Sequence, residues 1–213
     1  MRWLVVAAVL LACKGKQAPP PKRDDARVQP IDAASADAAV DAVVVDAAVM
    51  STTITPTGVG PITDKNIDED DYKQLLVGFT IKTEHREAED YNFDEYIASK
   101  DGKKILRAVI TDRSLFKIEV DDPMFATAAG VAVGTTVGDA AEKMKDLRCV
   151  FEIYDPQADA ERVEKSLRCD APSLPQVMFE VDLKGFKGAE GSVAPKSIAK
   201  RKIVQIVWLA AKE

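Results

Sequence analysis

Alternating apolar and polar positions dominate the last three quarters of the chain and are missing before it. Val77, Phe79 and Ile81 alternate with smaller or polar residues and predict a strand. A second strand is expected over 91–98, with Tyr91, Phe93 and Ile97 on one face. Asp101-Gly102 supplies the positive φ angles of a tight hairpin turn. Strand 104–112 follows, with Leu106, Ala108 and Ile110 opposite Ile105 and Val109, and then a strand from Leu115 to Val120 that ends at Asp122-Pro123. Further strands are expected over Cys149 to Tyr154, from Val163 to Cys169, from Val177 to Leu183 and over 202–210 with Trp208. Residues 158–167 also fit a helix, so two readings of that stretch stay open.

Two segments have the helical period instead. Thr63 is placed to cap a helix over 64–76, with acids at 64, 68, 69, 70 and 71 near its positive end. Thr136 with Asp139 forms a capping-box pattern before a helix over 137–147. Gly58-Val59-Gly60-Pro61 reads as a turn, and Gly185 to Ser197 as a glycine-rich loop. Many strands joined mainly as hairpins, with about two short helices, predict an α+β domain built on an antiparallel sheet. It is expected to span residues 57–213, enough for one core.

Residues 14 to about 55 lack this patterning. Pro19-Pro20-Pro21, the charged stretch Lys22 to Arg27 and an Ala/Asp/Val tract from Ile31 to Met50 hold no aromatic residue. Asp32, Asp37, Asp41 and Asp46 interrupt any apolar stripe, and Val43-Val44-Val45 is β-branched, so a mostly disordered linker over 13–56 with transient helix is expected. Fully stretched it would reach roughly 140 Å.

The first residues carry the strongest local signal. One charge, Arg2, precedes a short apolar run from Trp3 to Val9, and Leu10-Leu11-Ala12-Cys13 follows. The run is shorter than the about 20 residues needed to span a bilayer and fits a signal-peptide core. The order resembles the lipobox of bacterial lipoproteins. That resemblance implies removal of residues 1–12, acylation of Cys13 with membrane lipid, and a protein held in the bacterial envelope. In such proteins aspartate after the cysteine favours the inner membrane; Lys14 therefore points to the outer membrane, facing the periplasm. An ordinary secretory signal with an unrelated cysteine is the alternative.

Charge and cysteine count narrow the function. The whole chain has a formal charge of −6, which argues against a nucleic-acid partner. With Cys13 assigned to lipid, Cys149 and Cys169 are an even pair. In an oxidising compartment such a pair predicts a bridge worth about 3 kcal/mol; two buried free thiols are the other arrangement.

Motifs for chemistry are incomplete. Asp64-x-Asn66-x-Asp68-x-Asp70 begins like a calcium loop, but Glu69 and Leu75 occupy the positions that need glycine and glutamate. Gly130-x-x-x-Gly134-Thr135-Thr136 is one residue short of a phosphate loop and lacks its lysine. His85, the single histidine, lies between Glu84 and Arg86 in a charged run; a Ser-His-Asp centre would have to use it. Asp121-Asp122, Asp94-Glu95 and Glu152 offer carboxylates for glycosidase-type work, without a legible separation. No cofactor or metal is expected. The glycine-rich loop is the candidate interaction site, with Lys187, Glu190 and Lys196 as its residues. Lys184, Lys200, Arg201 and Lys202 gather around it to meet an anionic envelope component.

The folded part resembles the RpoE-regulated lipoprotein family over most of residues 57–210. The resemblance is carried by Gly58-Val59-Gly60, by Ile118 and Val120 before Asp121, by Gly130-Val131-x-Val133-Gly134-Thr135 with Asp139, and by Cys149 and Cys169. Gly185, Gly188, Glu190-Gly191, Pro195, Val204 and Ile206-x-Trp208 continue it, whereas the Ala/Asp tract departs from it. It implies an envelope lipoprotein made under envelope stress and brings no catalytic residue. The expected function is a non-catalytic binding or structural module. A hydrolase acting on cell wall or lipid, or a carrier of an apolar ligand, are the alternatives.

Overall fold

The computed structural model describes residues 50–88, 91–154 and 164–211. The leader, Cys13, the linker as far as residue 49 and the 158–163 part of the helical alternative lie outside these residues. Among the described residues no helix is long and apolar enough to cross a membrane.

The strands are β1 (Thr53–Thr55), β2 (Gly58–Val59), β3 (Ile62–Thr63), β4 (Thr80–Ala88), β5 (Tyr91–Lys100), β6 (Lys103–Thr111), β7 (Ser114–Val120) and β8 (Ala126–Thr127). They continue as β9 (Arg148–Tyr154), β10 (Glu164–Asp170), β11 (Val177–Val181), β12 (Gly191–Val193) and β13 (Ile203–Leu209). Helices α1 (Glu69–Leu75) and α2 (Val137–Lys143) and a 3-10 turn at Pro195–Ile198 complete the set. Among the described residues, two helices and two mostly antiparallel sheets make this the α+β class expected from the pattern.

The large sheet has nine strands in the order β12-β9-β10-β11-β13-β7-β6-β5-β4. It is two antiparallel meanders, β4 to β7 and β9 to β11, with the last strand inserted between them. The small sheet has the order β3-β2-β1-β8, in which β1 runs parallel to β8. Its Ile54, Val59 and Ile62 join Tyr72 and Leu76 of the α1 region, Val137 and Ala140 of α2, and the inner face of the large sheet in one core. That face presents Leu106, Ala108, Ile118, Val120, Phe151, Leu167, Phe179, Ile206 and Trp208. Trp208 Nε1 donates to the Pro56 carbonyl at 3.2 Å, so the buried indole has its acceptor.

Several elements differ from the sequence reading. The folded part begins before residue 57, because β1 is paired on both sides and Ile54 is fully buried. Helix α1 is short and starts after Asp68. Thr63 instead lies in β3, where the Asn66 side-chain oxygen accepts from its backbone N–H at 2.9 Å and its hydroxyl at 3.1 Å. Val77 is exposed, and the strand expected there starts at Thr80. In β5 the core face is Tyr96 and Ala98 rather than Phe93 and Ile97; the latter two lie on the opposite face beside the buried Glu95, so both faces carry apolar residues. Helix α2 ends at Lys143, with the Asp139 N–H donating to Thr136 Oγ1 at 3.1 Å as the capping pattern predicts. Residues 185–197 are not one loop, since they contain β12 and most of the 3-10 turn. Residues 164–170 form a strand, which closes the helical alternative for that part.

The turns follow backbone chemistry. Asp101 and Gly102 both have positive φ, 52° and 75°, joining β5 to β6. Asp112 and Arg113 do the same between β6 and β7 without a glycine. Aspartate tolerates the left-handed region better than most residues.

Candidate functional site

The carboxylates that the sequence offers for glycosidase-type work, none of them assigned as catalytic, mostly face cations. Asp121 pairs with Lys104 at 2.8 Å and accepts from Gln205 Nε2 at 2.8 Å, and Asp122 pairs with Lys103 at 2.6 Å. Burial works to raise the Asp122 carboxyl, but Lys103 and the Met124 N–H outweigh it and hold its pKa below the ordinary range. Glu152 pairs with Arg168 at 2.6 Å. Asp94 pairs with His85 across β4 and β5, where the imidazole is exposed. Asp94 is the hydrogen-bond partner of His85 among the described residues. Among the described residues no nucleophile–base–acid series forms around the histidine.

The other motifs resolve as local structure. Asn66 spends its side-chain oxygen on Thr63, and Asp68 makes no side-chain cap bond. Among the described residues no group of three or more His, Cys, Asp or Glu side chains converges on a metal position. In the 130–136 segment Thr135 Oγ1 accepts from the Ala132 N–H at 3.0 Å, and Lys143 donates to the Gly130 carbonyl at 2.7 Å. That segment is a turn between strand and helix.

A second feature was not anticipated. The face of the large sheet away from the core carries a ladder of charges. Arg107 on β6 donates to Glu95 on β5 at 2.9 Å and through Nε to Glu119 on β7 at 2.9 Å. Arg86 reaches Glu95 at 3.0 Å, and Lys117 reaches Glu119 at 2.6 Å. Burial alone would raise the Glu119 carboxyl; Lys117 and Arg107 outweigh it and hold its pKa below the ordinary range. Glu180, by contrast, is raised by burial, with Ser166 donating to it at 3.3 Å in partial compensation. The ladder is self-neutralising, which leaves little net field for a ligand.

The basic end of the molecule is different. A concavity of about 630 Å³ opens between the 182–184 segment, the 3-10 turn and the start of β13. Arg201 is its spine: Nη1 donates to the carbonyls of Asp182 at 2.6 Å and Lys184 at 3.2 Å. The same guanidinium lies 5.0 Å from the Phe186 ring centroid, and Phe186 packs edge-on against Phe151. The 3-10 turn is held to α2 by the Gly138 N–H on the Ala199 carbonyl at 3.0 Å and the Val137 N–H on the Arg201 carbonyl at 2.8 Å. A Cβ at Gly138 would sit 3.1 Å from Ala199 Cβ, so a side chain there would push the turn away.

Lys184, Lys196, Lys200 and Lys202 line this concavity with Asp182 as the lining acid. All four lysines are exposed. Among the described residues none of the four makes an ion pair, whereas Lys82, Lys103, Lys104 and Lys117 on the large sheet all do. Of the three residues singled out from sequence, Lys196 belongs to this lining. Lys187 and Glu190 are exposed on the loop before β12 and stand outside it. Arg201 gave no sequence signal to set it apart from its lysine neighbours.

Cys149 and Cys169 face each other directly on β9 and β10 with Cα atoms 4.0 Å apart, and they are bridged. Both are buried in the core.

No family model matches this chain, and no curated relative matches it. A crystal structure of the uncharacterized protein yfeY from Escherichia coli is similar in fold, with a TM-score of 0.52 at 19% identity. The match covers 74% of this chain and 99% of that one. At this identity the likeness concerns the fold.

Proposed function

We propose that this chain is an envelope lipoprotein of the RpoE-regulated type, acylated at Cys13, whose folded part is a non-catalytic binding or structural module. The observation that carries the reading is the buried Cys149–Cys169 bridge in a chain whose first residues read as a lipobox. Such bridges persist in oxidising compartments such as the periplasm, which is where the leader would send the protein. The likeness to yfeY in fold is compatible with this reading and adds no activity. The pairing of the candidate carboxylates with cations favours binding over hydrolysis. The packed inner face of the large sheet gives the apolar-carrier reading no support. The module's working surface is the basic concavity, and an outer-membrane position facing the periplasm follows from Lys14.

The test is incorporation of an alkyne-tagged fatty acid in cells producing the chain. Label should reside in the N-terminal peptide beginning at Cys13 and disappear in Cys13→Ser. A soluble, unlabelled product beginning at another residue would sink the reading.

A further inference from the structure

We infer that the basic concavity is a docking surface for an anionic phospholipid bilayer. The inference deepens the proposed function, since it rests on the chain being tethered to a membrane.

Charge is the first argument. Six basic and six acidic residues precede Met50, so residues 50–213 carry the full −6. Against that background, five cationic residues and one acid line a single concavity. The acid is already committed, since Asp182 Oδ1 accepts from the Lys184 N–H at 2.9 Å. Several cations on the large sheet, among them Lys104, Arg107, Lys117 and Arg168, neutralise neighbouring carboxylates. The four lysines at the concavity are exposed and, among the described residues, make no such pair.

The choice of cation is the second argument. The one arginine, Arg201, spends its planar donors on the Asp182 and Lys184 carbonyls and holds the surface together. The four free cations are lysines, compact point charges on flexible stems. Bidentate recognition of a phosphate in one fixed geometry favours arginine's rigid fork, whereas lysine meets phosphate as a point charge. A fluid layer of phosphodiester headgroups needs no fixed geometry, only several mobile positive charges at one surface. The concavity is open and shallow in construction, formed by one turn and two strand ends rather than by an enclosing loop. Val204, two residues beyond Lys202 in sequence, is an exposed apolar side chain.

Magnitude is the third. Each lysine near an anionic surface contributes about a fivefold gain in partition. Four together give several hundredfold. A lipid anchor on a flexible leash multiplies even weak docking by effective concentration. The surface would therefore hold the body against the bilayer when acidic lipid is abundant and release it when salt or lipid composition changes.

The experiment uses the chain from residue 13 with Cys13→Ser, which retains every residue of the folded core and removes the acyl contribution. Its flotation is measured with vesicles of phosphatidylcholine alone and with vesicles in which phosphatidylglycerol replaces part of the phosphatidylcholine. Binding is expected to the second and to vanish at high salt. Lys196→Gln with Lys200→Gln should weaken it about 25-fold, with thermal melting unchanged because both side chains are exposed. Lys145→Gln, outside the concavity, should leave it unchanged. Equal partition onto both vesicle types, or unaltered binding by the double variant, would overturn the inference. The tether is judged separately by fatty-acid labelling: acylated Cys13 without headgroup binding removes this inference alone. Headgroup binding by a chain that cells never acylate removes the tether and leaves the surface.

Discussion

Glu180 shows how one side chain sets a pH dependence. It lies on β11, on the charged face of the large sheet, with Arg168 directly across on β10. Ser166, Arg168, Lys117 and Glu119 act on it, and Gln205 lies directly across on β13. Burial raises its pKa in the folded protein, and the Ser166 hydroxyl only partly offsets this. The folded state then holds the proton more tightly than the unfolded chain, where a glutamate titrates near about 4.3. Stability from this group is complete below that value and is lost as pH rises through the higher folded value. Glu119, whose pKa is lowered, acts in the opposite sense: its contribution is present above the ordinary value and is lost on acidification. Glu180→Gln removes only the first dependence and keeps an acceptor for Ser166. The difference in melting temperature between variant and wild type should be near zero at low pH. It should grow in the variant's favour as pH rises through the window, then level off. A difference that stays flat across the titration would show that burial does not perturb this carboxyl.

The charge ladder acts at the level of strands. Arg107 joins β5, β6 and β7 because Glu95 and Glu119 lie on the same sheet face, and side chains alternate faces along a strand. The two carboxylates are 5% exposed and Arg107 is 27% exposed, so the pairs are far from the solvent-screened limit. Arg107→Ala leaves both carboxylates short of a partner, at a cost of about 3 kcal/mol, the low end for a broken buried pair. Thermal melting should fall by roughly 6–12 °C. Lys82→Ala, which removes a mostly exposed cation from the edge strand, should change it little. The ladder also explains where the sequence was legible and where it was not. The strand β11, whose buried residues Val177, Phe179 and Val181 all fall on one face, shows in the alternation. In β5, Phe93 and Ile97 share the far face with Glu95 while Tyr96 and Ala98 face the core, so apolar residues on both faces hide which parity points inward. The short strands β1, β2, β3 and β8 have two or three residues each and no period to read. Strands β1, β2 and β3 pair locally with one another, and β8 exists through its pairing with β1, more than 70 residues away. The same limit applies to the basic concavity: the lysines of the 184–202 stretch are visible in the sequence, but not which of them converge or that Arg201 is committed to two carbonyls. Lys187 and Glu190 were placed with them by proximity in sequence alone.

For the whole molecule, the decisive question is where the folded body begins. Hydrophobic patterning puts the boundary near residue 57, because residues 51–56 are Ser, Thr, Pro and a single isoleucine. Three contacts put it earlier. Ile54 is fully buried between β2 and β8, the Ala126 N–H donates to the Thr52 carbonyl at 3.1 Å, and Trp208 Nε1 depends on the Pro56 carbonyl. The last contact reaches the end of the chain, on β13, the strand that joins the two meanders in the middle of the large sheet. The N-terminal strand thus supports the element that completes the sheet. A chain starting at residue 57 loses the burial of Ile54, about 2 kcal/mol. It also leaves the buried indole N–H without its acceptor, a further about 1–3 kcal/mol. Against a total stability of about 5–15 kcal/mol, such a protein should be marginal. A chain starting at residue 50 should keep the urea midpoint of the longer protein, whereas one starting at 57 should unfold at clearly lower urea. Equal midpoints would mean that β1 rests on the core without contributing to it, and that the polar appearance of residues 51–56 described the boundary correctly.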